Sequence, residues 1–322
     1  MFNIIAIGSA TKDIFINAKK LKKGKGFCFP LGGKIELENL QTFSGGGGVN
    51  TTATFSLQEL KTGFCGVVGQ DLVGQELIEE LKEKGIDTSL LKARKGKATD
   101  LGIIFHAKNE RTIILFHGAS RTLEEKDIDW KKLKETDWLY IAPLWGKAAN
   151  LTEKLISFAK YNRIKVSLNP SLDQLKLKNI KELINKINVL LLNDDEACFL
   201  THIKPYREKR VFSSICSCAK LSLAQDKIAV ITKGKQGAAA FDGKFLYQIP
   251  TPKVKVVDAT GAGDSFGSGF VTGLIRFKNT EKALKLAMAN AISNIRVFGA
   301  NRGLLKKSDK IPEIKITKQT LN

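Results

Sequence analysis

The stretch DATGAGDSF, residues 258–266, sets two carboxylates six positions apart across a glycine turn, and a helix-patterned run follows. Gly261, Ala262 and Gly263 can present successive backbone N–H groups at the mouth of that helix. Free N–H groups, aided by the helix dipole, make such a mouth an anion site. An ionised Asp there repels a bound phosphate. Asp264 therefore fits proton transfer better than phosphate binding, taking the proton of a neutral hydroxyl as a phosphoryl group arrives. The N–H groups would hold the charge on the moving phosphoryl. Asp is also a favoured helix cap, so the stretch alone leaves both readings of Asp264 open.

Other devices for the same or rival chemistry are missing from the sequence. No G-x-x-x-x-G-K-[ST] loop occurs, and no G-x-G-x-x-G follows a strand. No G-x-S-x-G marks a hydrolase nucleophile. His106, His117 and His202 are the three histidines, and none has metal-ligand spacing. Cys216 and Cys218 form a CxC pair with no second pair to complete a zinc set; a helix face explains them better.

The elements that must position Asp264 follow a regular rhythm in the second half of the chain. WLYIAPL (138–144), IKVSLNP (164–170) and NVLLLND (188–194) read as buried strands, and KIAVITKGKQGAAAF (227–241) as strand, glycine turn, strand. Helical patterns alternate with them at 151–162, 178–187 and less clearly 207–224. IIAIGS (4–9) reads as a first strand, 61–71 as another, and 75–85 as an amphipathic helix stopped by Gly85. Strands alternating with helices predict a parallel sheet covered on both faces. Two closing helices are expected near 263–277 and 281–298. Residues 12–43 and 98–118 break the rhythm and read as short strands forming an accessory sheet. In an open α/β sheet, ligands sit at the carboxyl ends of strands. Asp13, Asn169, Asn193, Glu196, Thr232, Gly234 and Gly237 fall at those ends, and 258–264 lies just before the helix expected from 263.

Composition bounds the rest. A chain of 322 residues, 43% hydrophobic, can bury a large core. No apolar run reaches the length of a membrane span. The start lacks a basic signal region, and five scattered cysteines suit reduced thiols, so a cytoplasmic protein is expected. Net charge is +20, but only nine of the 52 basic residues are Arg, and the lysines are spread along the chain. Nucleic-acid readers favour Arg at bases and aromatics for stacking, so a non-catalytic nucleic-acid-binding or regulatory protein is the lesser expectation, and no membrane partner is expected.

VVDATGAGDSFGSGF (256–270) resembles the C-terminal signature of the ribokinase-like (PfkB) carbohydrate kinase family. SGGGGVNTTATFSLQEL (44–60) resembles the N-terminal one. GVVGQDLVG (66–74), ERTIILFHGAS (110–120), LLNDDEA (191–197) and TKGKQG (232–237) continue the resemblance in family order. The resemblance implies a single Rossmann-like ribokinase-fold domain over 1–322, with a mostly parallel central sheet flanked by helices. A small β-sheet lid from about 12–43 and 98–118 goes with it. It implies an enzyme that uses ATP and Mg²⁺ to phosphorylate a primary hydroxyl of a sugar, or of a nucleoside. Asp264 is then the base, and Gly261, Ala262 and Gly263 form the anion hole. Asn193 and Glu196 match an N-x-x-E motif for phosphates and water-bound Mg²⁺. Thr232, Gly234 and Gly237 match the nucleotide loop, with Asn290 near the adenine. Asp13, Gly45, Gly46 and Asn50 match positions that hold acceptor hydroxyls. Asp258 and Thr260 match positions that hold a monovalent cation such as K⁺ in some members; a turn-stabilising carboxylate is the equal alternative. Gly47 stands where ribokinase proper carries Lys. Arg111 falls in the lid hairpin at a commonly occupied family position, where a hairpin salt bridge is expected ahead of a substrate contact. Phe15, Phe27, Phe105 and Phe116 would have to converge to make a slot for a nucleoside base. Lid edges can pair in such folds, which allows a homodimer.

Overall fold

A computed structural model describes residues 1–107, 110–202 and 227–320. The expected helix at 207–224 and the Cys216–Cys218 pair lie outside the described residues. Ten described strands form one sheet. Seven run parallel, in the spatial order Leu91–Arg94, Thr62–Gly69, Phe2–Ile7, Thr136–Ile141, Lys165–Leu168, Val189–Asn193 and Ile228–Thr232. Ala238–Phe241, Phe245–Ile249 and Thr317–Thr320 extend it antiparallel.

Side-chain alternation divides the core between the two faces of this sheet. Ile5, Ile7, Leu139, Ile141, Leu190 and Leu192 pack on one side, with helix Leu151–Tyr161. Ile4, Ala6, Tyr140, Val189 and Leu191 pack on the other. There they meet Phe266, Phe270 and Val271 of helix Ala262–Phe277, and Leu284, Ala287 and Met288 of Thr280–Asn294. Burial on both faces is why the parallel strands read as continuous apolar runs.

The accessory sheet has four strands in the order Leu40–Gly45, Thr11–Asn17, Asp100–Ala107 and Glu110–Phe116. It is mixed: Thr11–Asn17 pairs antiparallel with Leu40–Gly45 but parallel with Asp100–Ala107. The expected hairpin supplies its last two strands. Between the first two lie a 3₁₀ turn, Lys19–Leu21, and a two-stranded ribbon, Lys22–Lys23 with Gly26–Phe27. The strands Leu91–Arg94, Phe245–Ile249 and Thr317–Thr320 are additions to the sequence reading. Asp242-Gly243, between two apolar runs, was the available hairpin signal for the second. Among the described residues, no helix is long and apolar enough to cross a membrane.

Candidate active site

Asp264 sits in the first turn of helix Ala262–Phe277, not ahead of it. Nor is it the cap: Gly261 occupies that position with φ 77°, without a side-chain cap. Only a residue tolerant of the left-handed region fits there. A Cβ on Gly261 would lie 2.1 Å from the Ala300 carbonyl oxygen. The turn is thus pressed against the 295–301 segment. Asn50 Nδ2 donates to Asp264 Oδ2 at 2.8 Å. Burial raises the Asp264 pKa, and the Asn50 bond opposes that rise.

Asn50 lies in helix Gly47–Leu57, which follows Gly46 at the end of the first accessory strand. Asp13 lies opposite, on Thr11–Asn17, and is 6% exposed. Its carboxylate accepts from Thr11 Oγ1 at 3.0 Å and rests on two glycines. A Cβ on Gly45 would stand 2.1 Å from Asp13 Oδ2, and one on Gly102 2.5 Å from Oδ1. Gly45 was expected here; Gly102 was not, and its register opposite Asp13 is what places it. Burial, then the charges of Asp258 and Asp264, push Asp13 up to about 6 despite the Thr11 bond.

Asp258 binds its own turn. Its Oδ1 accepts from Thr260 N at 2.9 Å and Thr260 Oγ1 at 2.7 Å. Its Oδ2 accepts from Gly299 N at 3.2 Å. The carboxylate therefore ties the glycine turn to the segment after helix Thr280–Asn294.

On the far side of Asp264, Asn193 caps helix Asp194–Thr201 and accepts from Glu196 N at 2.8 Å. Glu196 Oε2 accepts from Asn193 N at 2.8 Å, which leaves Oε1 for the cleft. Burial first, then Asp195 and Asp264, raise Glu196 to about 6. A partly buried oxygen-donor carboxylate suits a hard cation held through water.

A cleft of about 310 Å³ runs between Glu196, Asn193, Asn169, Arg111, Thr232 and residues 261–264. A second, of about 530 Å³, continues beyond it, lined by Gly234, Gly237, Val254, Met288, Ile292 and others. Thr232, Ala259, Ala262, Gly263 and Phe266 border both. The smaller chamber, of mixed lining but the more polar of the two, thus opens into a larger, mainly apolar one, with the helix mouth between them. Arg111 has no ion-pair partner among the described residues. The expected hairpin salt bridge is thus absent there, and Arg111 borders the polar chamber instead.

Asn290 does not reach either chamber. It is fully buried, donates to Thr54 Oγ1 at 3.1 Å and Ser265 O at 2.8 Å, and accepts from Leu305 N at 2.9 Å. The helix pattern placed it on a helix, but those three partners turn it into the core, so the adenine expectation is corrected. Nor do the four phenylalanines converge. Phe15 packs on Phe43 and Phe298, Phe27 packs on Phe105, and Phe116 is half exposed. Asn301 was missed altogether. It bonds Asn50 from a loop without any local motif.

A family model described as pfkB family carbohydrate kinase matches residues 1–307. A ribokinase of Lactococcus lactis is 26% identical over 98% of this chain and 99% of its own length. The solved ribokinase of Arabidopsis thaliana, complexed with ribose and ATP, is 23% identical. It covers 95% of this chain and 96% of its own, with a TM-score of 0.76. The adenosine kinase of Sinorhizobium meliloti reaches a TM-score of 0.79 at 19% identity, over 95% of this chain and 97% of that one.

Proposed function

Because the chain belongs to the pfkB family of carbohydrate kinases, and is thus a phosphotransferase with an alcohol acceptor, we propose that it moves the γ-phosphoryl group of ATP to a primary hydroxyl of a sugar. The observation that carries this reading is the position of Asp264. Its carboxylate is held by Asn50 at a helix mouth, where the more polar chamber meets the larger apolar one.

In this reading the apolar chamber takes the adenine, and Thr232, Gly234 and Gly237 line the path of its phosphates. The acceptor lies between Asp13, Gly45, Gly46 and Asn50. Two glycines beneath Asp13 keep the floor low, so a polyhydroxylated ring can approach its carboxylate. Asp264 takes the acceptor proton, and the amides of Gly261, Ala262 and Gly263 receive the moving phosphoryl. Asn193 and Glu196 would hold water-bound Mg²⁺, which screens the phosphate charge when bound. The accessory sheet is the lid that keeps competing water out. The working compartment is the cytoplasm.

The sugar class is tested with ATP consumption across a panel of sugars and nucleosides. Sugar-dependent ADP release supports the reading, and turnover with nucleosides alone overturns it. Run in sodium and then in potassium, the same assay tests a monovalent cation at Asp258 and Thr260. Faster turnover in potassium is expected, and indifference removes the site.

Asp13 gives a prediction with a worked sign. Its folded pKa, about 6, lies above its ordinary value of 3.8. A raised carboxylate penalises the fold when charged. The penalty is absent below about pH 4, grows through pH 6 and is complete above it. Asp13→Asn should therefore stabilise the protein at pH 8, by at most roughly 3 kcal/mol. It should also raise the acceptor KM about tenfold or more, because an amide cannot accept at both positions. Thermal melts and steady-state kinetics check this; a lower melting temperature with unchanged KM contradicts it.

A further inference from the structure

Asn50 is held by a line of polar groups that reaches the protein surface. Asn301 Nδ2 donates to Asn50 Oδ1 at 3.2 Å, and also to Ser44 O at 2.8 Å. Lys84 Nζ donates to Asn301 Oδ1 at 3.4 Å and is itself paired with Glu80 at 2.6 Å. Lys84 is partly exposed, while Asn301 is only 5% exposed.

The chemistry of the two ends fixes every orientation between them. An ammonium can only donate, and a backbone carbonyl can only accept. Asn301 must therefore turn its oxygen to Lys84 and its NH₂ to Ser44 O and Asn50. That leaves Asn50 to meet Asn301 with its oxygen and Asp264 with its NH₂. Reversing Asn50 would put a carbonyl oxygen against a carboxylate. Aligned bonds of this kind polarise one another in a low-dielectric interior.

We propose that Asn301 is a positioning residue for phosphoryl transfer, which fixes the amide of Asn50 so that its N–H groups face Asp264. It touches neither acceptor nor nucleotide in this reading. Lys84 sets the direction of the line from its outer end. Ser44 lies on the first accessory strand, so the line also joins that sheet to Asp264. The proposal rests on Asp264 being the base.

The charged and titratable groups around Asp264 bear on its test. Asp13 lies on the accessory sheet, Glu196 on the helix after Val189–Asn193, and Tyr140 beneath, on Thr136–Ile141. Arg111 faces the same chamber from the hairpin. The hydrogen bonds of Asn301 run to Asn50, Ser44 and Lys84 and to none of these groups.

The experiment compares Asp264→Asn, Asn301→Leu and Lys84→Met with the wild-type chain, in kcat, in the KM values for ATP and acceptor, and in the pH profile of kcat. Asn301→Leu should lower kcat about 10- to 100-fold, with the KM for ATP within about twofold. The Asn50 bond favours the ionised carboxylate. Its loss should move the acid limb of kcat upward by about one pH unit. Lys84→Met, at a partly exposed site, should shift the limb in the same direction by less. Where Asn301→Leu does not fold, Lys84→Met decides: an upward shift supports the proposal and an unmoved limb overturns it. A folded Asn301→Leu with wild-type kcat and pH profile also overturns it. Near-normal turnover in Asp264→Asn instead sinks the base assignment beneath it, so the two failures are distinguishable.

Discussion

Asp264→Asn should bind ATP as the wild-type chain does and lose turnover by about 10²–10⁴-fold. The amide keeps the size of the carboxylate and can still meet Asn50 through its oxygen. It cannot take a proton. Its removal of a charge from the helix mouth should leave ATP binding unchanged or tighter, because a like charge no longer faces the phosphates. Calorimetric titration with ATP, paired with single-turnover kinetics, separates the two effects. A variant that fails to bind ATP would mean that Asp264 shapes the nucleotide site. Near-normal turnover would leave the enzyme without its proposed base.

The second large effect is expected at Gly261. Two independent constraints meet there: φ is 77°, and a Cβ would lie 2.1 Å from a backbone oxygen of Ala300. Backbone cannot swing aside as a side-chain tip can. Gly261→Ala must displace either the helix mouth or the 299–301 segment. Either movement shifts the amides of 261–263 relative to Asp264. A misplacement of about 1 Å can cost about 10² in rate, and the strain costs about 1–3 kcal/mol of stability. The expected result is a folded protein with a lower melting temperature and kcat reduced about 10²-fold. Gly26→Ala, on the ribbon away from the helix mouth, is the control, because a Cβ there also meets nothing within 4 Å. Equal losses in both variants would argue against the steric account.

What was legible in the sequence follows from burial. IIAI, WLYIA, VLLL and IAVI are strands covered on both faces, and their unbroken apolarity announced them. Thr317–Thr320 is exposed at every position and carries no such pattern. Leu91–Arg94 has one buried residue, which is too little to mark a strand.

The site divides in the same way. Asp13, Asn193 and Glu196 were legible because they follow strands and Asp264 because it opens a helix, whereas Asn50 was named only by the family resemblance. The pairing of Asn50 with Asp264 was not legible, because 214 positions separate them. Asn290 shows the limit of periodicity: its helix was expected, but helix-helix packing on Ala262–Phe277 decided which way it faces. Asn301 and Gly102 gain their meaning only from partners in space, Asn50 and Asp13. Arg111 was legible as a hairpin residue, while its place beside the polar chamber depends on how the accessory sheet lies against the main one.

The most direct measurement is acceptor-dependent release of ADP from ATP by the purified full chain, in magnesium and potassium, with each of a panel of sugars and nucleosides. The account predicts ADP formation that rises with at least one sugar, saturates with it, and disappears in Asp264→Asn. ADP formation indifferent to every sugar, or equal in the wild-type chain and Asp264→Asn, would contradict it.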